Sequence, residues 1–173
     1  MERTAARKKP PYPVDGSAEE QLRFLLGYAI LAPSSHNSQP WLFRLREDGV
    51  ELYADRRRAL PVVDPRDREL TMSCGAALDH LAVAARYFGR APVIDLLPDG
   101  AEADLLARFR LGDPVTADEE DRALFEAIPQ RRTTRHAFER RPLPESLQAR
   151  CRQLAQAQGA DLTLAADDAT KSE

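Results

Sequence analysis

Cysteine and long apolar runs are both scarce in this chain of 173 residues. Two cysteines, Cys74 and Cys151, are too few for a disulfide framework. No segment reaches the roughly 18 apolar residues that a membrane span needs, and no apolar block of the kind found in signal peptides follows the charged N-terminus. These absences predict a cytoplasmic protein with no membrane partner.

Lysine is also rare, and the acids and arginines are interspersed, giving a net charge of -3. A nucleic-acid-binding module would show a basic face, so no nucleic-acid partner is expected. The three histidines have no metal-ligand spacing with one another or with the cysteines, so no metal site is predicted. No Walker A, G-x-G-x-x-G or G-x-S-x-G motif occurs, which argues against a phosphate-binding loop, a dinucleotide fold and a serine hydrolase.

Helical and strand periodicities alternate along the chain. Apolar residues recur at helical spacing in four segments: 18–32, 65–88, 117–129 and 144–158. Strand patterns occur in five: 42–46, 50–54, 93–97, 104–111 and 162–165. The helix at 65–88 is the longest, and its predicted buried stripe is Leu70, Cys74, Ala77, Leu81, Ala84 and Phe88. The alternation predicts an α+β or a layered α/β class.

Capping residues mark where three of these helices begin. Ser17 and Glu20 match a capping box at the first helix. Asp64 precedes Pro65, which predicts Asp64 as the N-cap of the long helix. Thr116 with Glu119 predicts a second capping box at the third helix.

A polar loop bracketed by two prolines lies between the first helix and the first strand. It reads Pro33-Ser34-Ser35-His36-Asn37-Ser38-Gln39-Pro40-Trp41. Its hydroxyls, amide and backbone N–H groups suit a heteroaromatic ring with mixed hydrogen-bonding edges, and Trp41 is expected to anchor it in the core. The alternative is an ordinary connecting loop, in which the same polar residues form the hydrogen bonds of turns and of the helix end.

Arginines cluster in two places. Arg131-Arg132-Thr133-Thr134-Arg135 combines paired guanidinium donors with hydroxyls, which suits a phosphate; a solvated basic turn is the alternative. Arg56-Arg57-Arg58 has no hydroxyl partners, and we interpret it as solvated.

Together the loop and the later arginine cluster resemble two motifs of the FMN-dependent nitroreductase superfamily. The loop looks like its P-S-x-x-N-x-Q-P-W signature, and the cluster looks like its R-R-S-x-R phosphate motif. Asp64-Pro65, Arg68-Glu69-Leu70 and the run from Ser73 to Leu78 resemble a subgroup, the Acg-type FMN-binding oxidoreductases. The resemblance implies an α+β, nitroreductase-like layered α/β/α module with a central, mostly antiparallel sheet and the long core helix at about 65–88.

The resemblance also implies a flavin site and its chemistry. FMN would take electrons from NAD(P)H and pass them to a small-molecule acceptor such as a nitroaromatic or a quinone, with no catalytic side chain required. The alternatives are a flavin-binding or flavin-sequestering protein with little turnover, and a structural half-domain that binds nothing alone. The implied phosphate ligands are Arg131, Arg132 and Thr133, with Arg135 near the ring, and the implied ring contacts are Pro33, Ser34, Ser35 and Asn37.

The order of the two motifs is the reverse of the order in ordinary nitroreductases, where the arginines come first. The reversed order resembles a homodimer fused into one chain, with the two motifs as complementary halves of one site. We therefore expect an N-terminal arm at 1–16, a first nitroreductase-like module at 17–128, and the start of a second, truncated module at 129–173. A second module of a longer chain, or a homodimer partner, would complete the site, and the fragment alone is expected to be inactive.

Overall fold

The computed structural model describes residues 11–98, 102–139 and 141–164. The chain divides into two compact units, Met1–Thr133 and Thr134–Glu173. The helices and strands of the first unit, in chain order, are α1 (Ala18–Ala29), β1 (Trp41–Leu45), β2 (Val50–Ala54), α2 (Arg68–Tyr87), β3 (Arg90–Leu96), β4 (Leu105–Pro114) and α3 (Glu119–Gln130). The second unit contains α4 (Glu145–Ala157).

The four strands form one antiparallel sheet in the order β1-β2-β4-β3. The predicted hairpin joins β1 to β2, and its turn closes with the Arg46 N–H donating to the Gly49 carbonyl oxygen at 2.8 Å. A Cβ at Gly49 would lie 2.5 Å from the carbonyl oxygen of Phe109 on β4, so the turn requires glycine for this close approach. The predicted α+β class with an antiparallel sheet is confirmed.

Helix α2 forms the centre of the core, in contact with α1, α3 and all four strands. Its predicted stripe is buried at Leu70, Cys74, Ala77, Leu81 and Ala84, whereas Phe88 is only partly buried. Strand residues that alternate along β2 and β4, such as Leu52 and Phe109, point into the same cluster. Helix α1 packs against α2 and also contacts β1.

Aromatic rings pack around the C-terminal end of α2. Tyr12 stacks on Phe88 with ring centroids 4.5 Å apart, and Tyr87 stacks on Phe125 of α3 at 3.7 Å. The Tyr12 hydroxyl donates to the side-chain oxygen of Gln21 at 3.0 Å. These rings join the residues before α1 to α2 and α3, and Phe88 lies among them at the edge of the core.

The predicted start of the long helix is wrong by three residues. Helix α2 begins at Arg68, and the residue before it, Asp67, has a left-handed φ of 52° and makes no side-chain capping bond. The carboxylate of Asp64 nevertheless accepts the N–H groups of Arg68 and Leu70, each at 2.9 Å. The prediction of Asp64 as the N-cap is therefore wrong, although its carboxylate still satisfies two N–H groups of the first turn, across a turn that the sequence pattern did not indicate.

Two other predicted elements also need correction. The capping box of α3 is formed by Asp118 and Asp121 rather than by Thr116 and Glu119, and the Asp121 N–H donates to Asp118 Oδ1 at 2.8 Å. Residues 162–164 form no strand, and residue 165 lies outside the described residues.

Candidate functional site

The loop that follows α1 has an unusual backbone. His36, Asn37 and Gln39 all have left-handed φ angles, between 50° and 56°, although none is glycine. Each left-handed residue with a Cβ costs roughly 1–2 kcal/mol, so such a conformation persists only where surrounding contacts enforce it. Grouped backbone strain of this kind is typical of ligand-binding loops.

Contacts from three directions hold the loop in place. Within it, the Gln39 N–H donates to Ser34 Oγ at 3.0 Å. From α2, Ser73 Oγ accepts the N–H of Ser35 at 3.3 Å. From the turn after β2, Arg58 Nη1 donates to the Ser38 carbonyl oxygen at 3.0 Å.

The end of the loop is anchored in the core. Trp41 is buried there, as expected. The Cys74 thiol lies 3.4 Å from the Pro40 carbonyl oxygen and donates to it. Burial raises the pKa of the Cys74 thiol to about 12, so the thiol stays protonated at neutral pH and serves as packing rather than as a nucleophile.

A cavity of about 620 Å³ lies between this loop, the first turns of α2 and Thr133. Its size falls in the range of small-molecule and cofactor sites, roughly 300–1,000 Å³. Apolar groups and a few polar side chains share the lining, which consists of Pro33, Ser34, Ser35, Arg68, Glu69, Met72, Ser73, Ala76 and Thr133. The structure thus brings the first three loop residues and one of the two threonines of the arginine cluster, Thr133, to one cavity.

The contribution of α2 to this cavity was not predicted from the sequence. Glu69, Ser73 and Ala76 are spaced four and three residues apart, so they lie on one face of the helix. The Ser35 hydroxyl donates to the Glu69 carboxylate. The sequence does contain a signal for this contribution, since polar and small residues share one helix face that begins at the N-terminus of α2. The apolar periodicity of the same helix is stronger and indicates only its buried face.

The arginine cluster lies at the end of α3. Arg131 donates through Nη1 to Thr133 Oγ1 at 3.1 Å and through Nη2 to the Leu31 carbonyl oxygen at 3.4 Å. Arg132 donates to the Pro129 and Arg131 carbonyl oxygens at 3.0 and 2.9 Å. Both side chains are exposed, and neither lines the cavity.

The remaining predicted site residues lie elsewhere. Asn37 is exposed in the loop and does not line the cavity. Arg135 is an exposed residue of the second unit.

The cluster at 56–58 is exposed, as interpreted from the sequence, and its arginines also have specific partners. Arg56 forms ion pairs with Asp67, before α2, and with Asp104, before β4, the latter at 2.7 Å. Its side chain remains 44% exposed, so these pairs add little to the free energy of unfolding. Their main effect is to hold the segments before α2 and β4 next to the turn that carries Arg56. Arg58 is the residue that binds the Ser38 carbonyl of the loop.

No group of three or more histidine, cysteine, aspartate or glutamate side chains is placed to hold a metal ion within the described ranges. In the same part of the chain, no helix is long and apolar enough to cross a membrane.

Known proteins share this sequence pattern. The Mycobacterium tuberculosis protein named "Putative NAD(P)H nitroreductase Rv3131" is 39% identical over 125 residues, which is 72% of this chain and 36% of that protein. The M. tuberculosis "Putative NAD(P)H nitroreductase acg" is 32% identical over 140 residues, or 81% of this chain and 42% of that protein. This chain belongs to the nitroreductase superfamily, in the group that includes Acg. It spans well under half the length of these relatives.

Two further proteins are similar to this nitroreductase homologue. The Serratia protein "Probable NAD(P)H nitroreductase PigM" is 31% identical over 145 residues, covering 79% of this chain and 39% of that protein. A solved nitroreductase family protein from Streptococcus pneumoniae matches with a TM-score of 0.46 and 19% identity, covering 81% of this chain and 90% of that one. No family model matches the sequence.

Proposed function

We propose that this nitroreductase homologue binds FMN in the cavity between the loop, α2 and Thr133. We propose further that it is part of a cytoplasmic oxidoreductase that uses this flavin. In that reaction NAD(P)H reduces the flavin, and the flavin reduces a nitroaromatic, a quinone or a similar small molecule. The observation that carries the proposal is the shared cavity: Pro33, Ser34 and Ser35 line it together with Thr133, about a hundred residues later in the chain.

The lining suits a flat heteroaromatic ring with a polar edge. Pro33, Met72 and Ala76 supply apolar surface that excludes water from a bound ring. Ser34 and Ser35 supply hydroxyls that orient it. FMN, when bound, supplies the redox chemistry; the protein supplies orientation and electrostatics.

The phosphate of FMN is assigned to the arginine cluster. The Thr133 hydroxyl lies in the cavity wall, and Arg131 is bonded to it, so a phosphate near Thr133 meets guanidinium donors. Arg132 adds a second exposed cation in the same turn. By the family resemblance Arg135 lies near the flavin ring and Asn37 contacts it, and both assignments belong to the proposal.

We infer that a second nitroreductase-like module, in a longer chain or in a homodimer partner, covers this site. Met72 forms part of the cavity wall, yet it is 64% exposed. The arginine cluster is exposed as well. An apolar wall and a set of cations that both face solvent are suited to closure by another module.

Comparison of FMN with riboflavin tests the phosphate assignment. Quenching of flavin fluorescence gives both affinities for the wild-type chain and for Arg131→Ala. We expect the substitution to weaken FMN binding by about tenfold, the usual effect of losing a hydrogen bond to a charged group. Riboflavin lacks the phosphate, so its affinity should not change. An equal loss for both flavins would contradict the assignment. Absence of flavin binding both by this chain and by a longer chain that includes the second module would contradict the proposed function.

Turnover is tested on the flavin-loaded protein. Under anaerobic conditions, added NADPH should bleach the oxidised flavin bands, and a nitroaromatic or quinone should restore them. Flavin that binds tightly but stays oxidised with NADPH and with NADH would instead favour the alternative function, storage of flavin.

A further inference from the structure

The hydrogen bonds around Ser35 use every proton that this residue can donate. Its hydroxyl proton goes to the carboxylate of Glu69, a group that can only accept when ionised. Its backbone N–H goes to Ser73 Oγ at 3.3 Å. Ser35 therefore faces the cavity only as a hydrogen-bond acceptor, through the lone pairs of Oγ.

Ser73 is itself fixed in a way that maintains this arrangement. Its hydroxyl donates to the backbone carbonyl oxygen of Glu69 at 2.7 Å, and its side chain is buried. Because its own proton is used in this way, Ser73 Oγ accepts from the Ser35 N–H and cannot donate to the Ser35 hydroxyl. The first turns of α2 thus determine the polarity of Ser35, that is, whether its hydroxyl presents a hydrogen-bond donor or an acceptor to the cavity.

The neighbouring serine, Ser34, has the opposite polarity, because its hydroxyl can donate to a ligand. Ser34 Oγ accepts the N–H of Gln39 at 3.0 Å, and that bond leaves the Ser34 hydroxyl proton available for a ligand. Both serines line the cavity. The loop therefore presents a donor beside an acceptor, which complements a ligand edge that carries an acceptor beside a donor.

We propose that Glu69 is a positioning residue that holds the Ser35 hydroxyl as an acceptor for the ring N–H of a bound flavin. The proposal rests on the proposed function, because it takes the cavity to be the flavin site. The oxidised isoalloxazine ring carries one N–H, at N3, with a carbonyl on either side. Glu69 acts through Ser35 and needs no contact of its own with the ring.

Variants of Glu69 separate this role from an effect of its charge. Glu69→Gln is neutral but keeps a side-chain oxygen that can accept the Ser35 proton, so FMN affinity should stay within about twofold of wild type. Glu69→Leu has no acceptor and should bind FMN about tenfold more weakly. Equal losses in the two variants would show that the charge matters rather than the acceptor, and would overturn the proposal.

A double-mutant cycle shows whether Glu69 acts through Ser35. Ser35→Ala should lose about as much FMN affinity as Glu69→Leu, and the double variant should lose no more than either. Additive losses would indicate that Glu69 contacts the ligand directly, and would overturn the positioning role. A flavin methylated at N3 provides the matched probe: the wild type should bind it about tenfold more weakly than FMN, and Ser35→Ala should bind the two alike. Equal binding of both flavins by the wild type would overturn the assignment of the ring N–H.

A measurement without ligand distinguishes failure of this proposal from failure of the proposed function. Urea unfolding of wild type, Ser35→Ala, Glu69→Leu and the double variant measures the coupling between the two side chains. If neither this chain nor a longer chain that includes the second module binds FMN, the proposed function fails together with the flavin assignment. Coupling between Ser35 and Glu69 in unfolding would then still support the fixed polarity of Ser35, and its absence would overturn that as well.

Discussion

The guanidinium of Arg58 and the backbone of Ser38 are joined by a hydrogen bond of 3.0 Å, in which Arg58 Nη1 donates to the Ser38 carbonyl oxygen. The bond ties the turn after β2 to the loop that forms one wall of the cavity. Because three residues of that loop are left-handed, its conformation depends on such external contacts.

Arg58→Ala is expected to loosen this loop while leaving the rest of the fold intact. The Arg58 side chain is 53% exposed, so its loss should change the free energy of unfolding by no more than about 1 kcal/mol. Hydrogen exchange of the amides at 34–39 should become faster, because local opening no longer breaks the Arg58 bond. Arg23→Ala, which removes an exposed ion pair with Glu19 on α1, should leave exchange in the loop unchanged. Unchanged exchange in Arg58→Ala would show that the bond does not hold the loop.

Glycine substitutions measure the backbone strain in the loop. His36 has a φ of 51°, so His36→Gly should raise the free energy of unfolding by up to about 1 kcal/mol. His36→Val should lower it by about 1–2 kcal/mol, because a β-branched residue is poorly accommodated there. Ser38 has a right-handed φ of -68°, so Ser38→Gly should destabilise and is the control. Urea unfolding measures both variants. A lower free energy of unfolding for His36→Gly than for Ser38→Gly would contradict backbone strain at His36.

The half-buried His80 on α2 predicts a loss of stability in mild acid. Burial lowers its pKa, and the charge of Arg131 acts in the same direction, whereas a hydrogen bond to the backbone of Tyr28 and the charge of Asp79 oppose the shift. Nδ1 of His80 is buried without a hydrogen-bond partner among the described residues. The unfolded chain therefore binds a proton at this residue more readily than the folded chain does, so the contribution to stability is complete above about pH 6.5 and is lost as the pH falls through the lowered value.

Urea unfolding between pH 7.5 and pH 5 measures this dependence, and the variant to compare is His80→Gln. The wild type should lose more stability on acidification than the variant does. His136→Gln removes an exposed imidazole and is the matched control. A wild type and a His80→Gln variant with the same slope against pH would rule out a contribution from His80.

Much of the fold follows from local patterns, because the signals are strong where periodicity and burial agree. The stripe from Leu70 to Ala84 predicted the core face of α2, and the Asp48-Gly49 turn predicted the hairpin. Helix starts were less certain because two capping residues competed. Thr116 and Asp118 both have a carboxylate three residues later, and the structure uses the second pair.

This choice of capping residue can be tested by substitution. Asp118→Ala should cost about 1 kcal/mol of stability, the usual price of losing an N-cap, and should expose the first N–H groups of α3 to exchange. Thr116→Ala should have no measurable effect, because Thr116 is exposed and lies outside the capping box. A larger loss for Thr116→Ala would restore the prediction made from the sequence.

The parts of the site that the sequence could not predict depend on residues distant in the chain. The partners of Arg56 come eleven and forty-eight positions later, at Asp67 and Asp104. The bond between Ser35 and Glu69 spans thirty-four positions. No periodicity encodes such pairs, since they depend on how the loop and α2 come together. The motifs indicated the candidate residues, but only tertiary structure gives their partners.

The hairpin turn has a consequence for how this sequence can vary. At Gly49 a side chain would collide with the backbone of β4 at Phe109, which cannot move without breaking the ladder between β2 and β4. At Gly75, on the exposed side of α2, no atom of the described residues lies within 4 Å of the place a Cβ would occupy, apart from its chain neighbours and the backbone of its own helix. In a library of random variants, position 49 should tolerate almost nothing but glycine, whereas position 75 should accept alanine and most larger helix formers. The same residue type is therefore fixed at one position by its neighbour and free to change at the other.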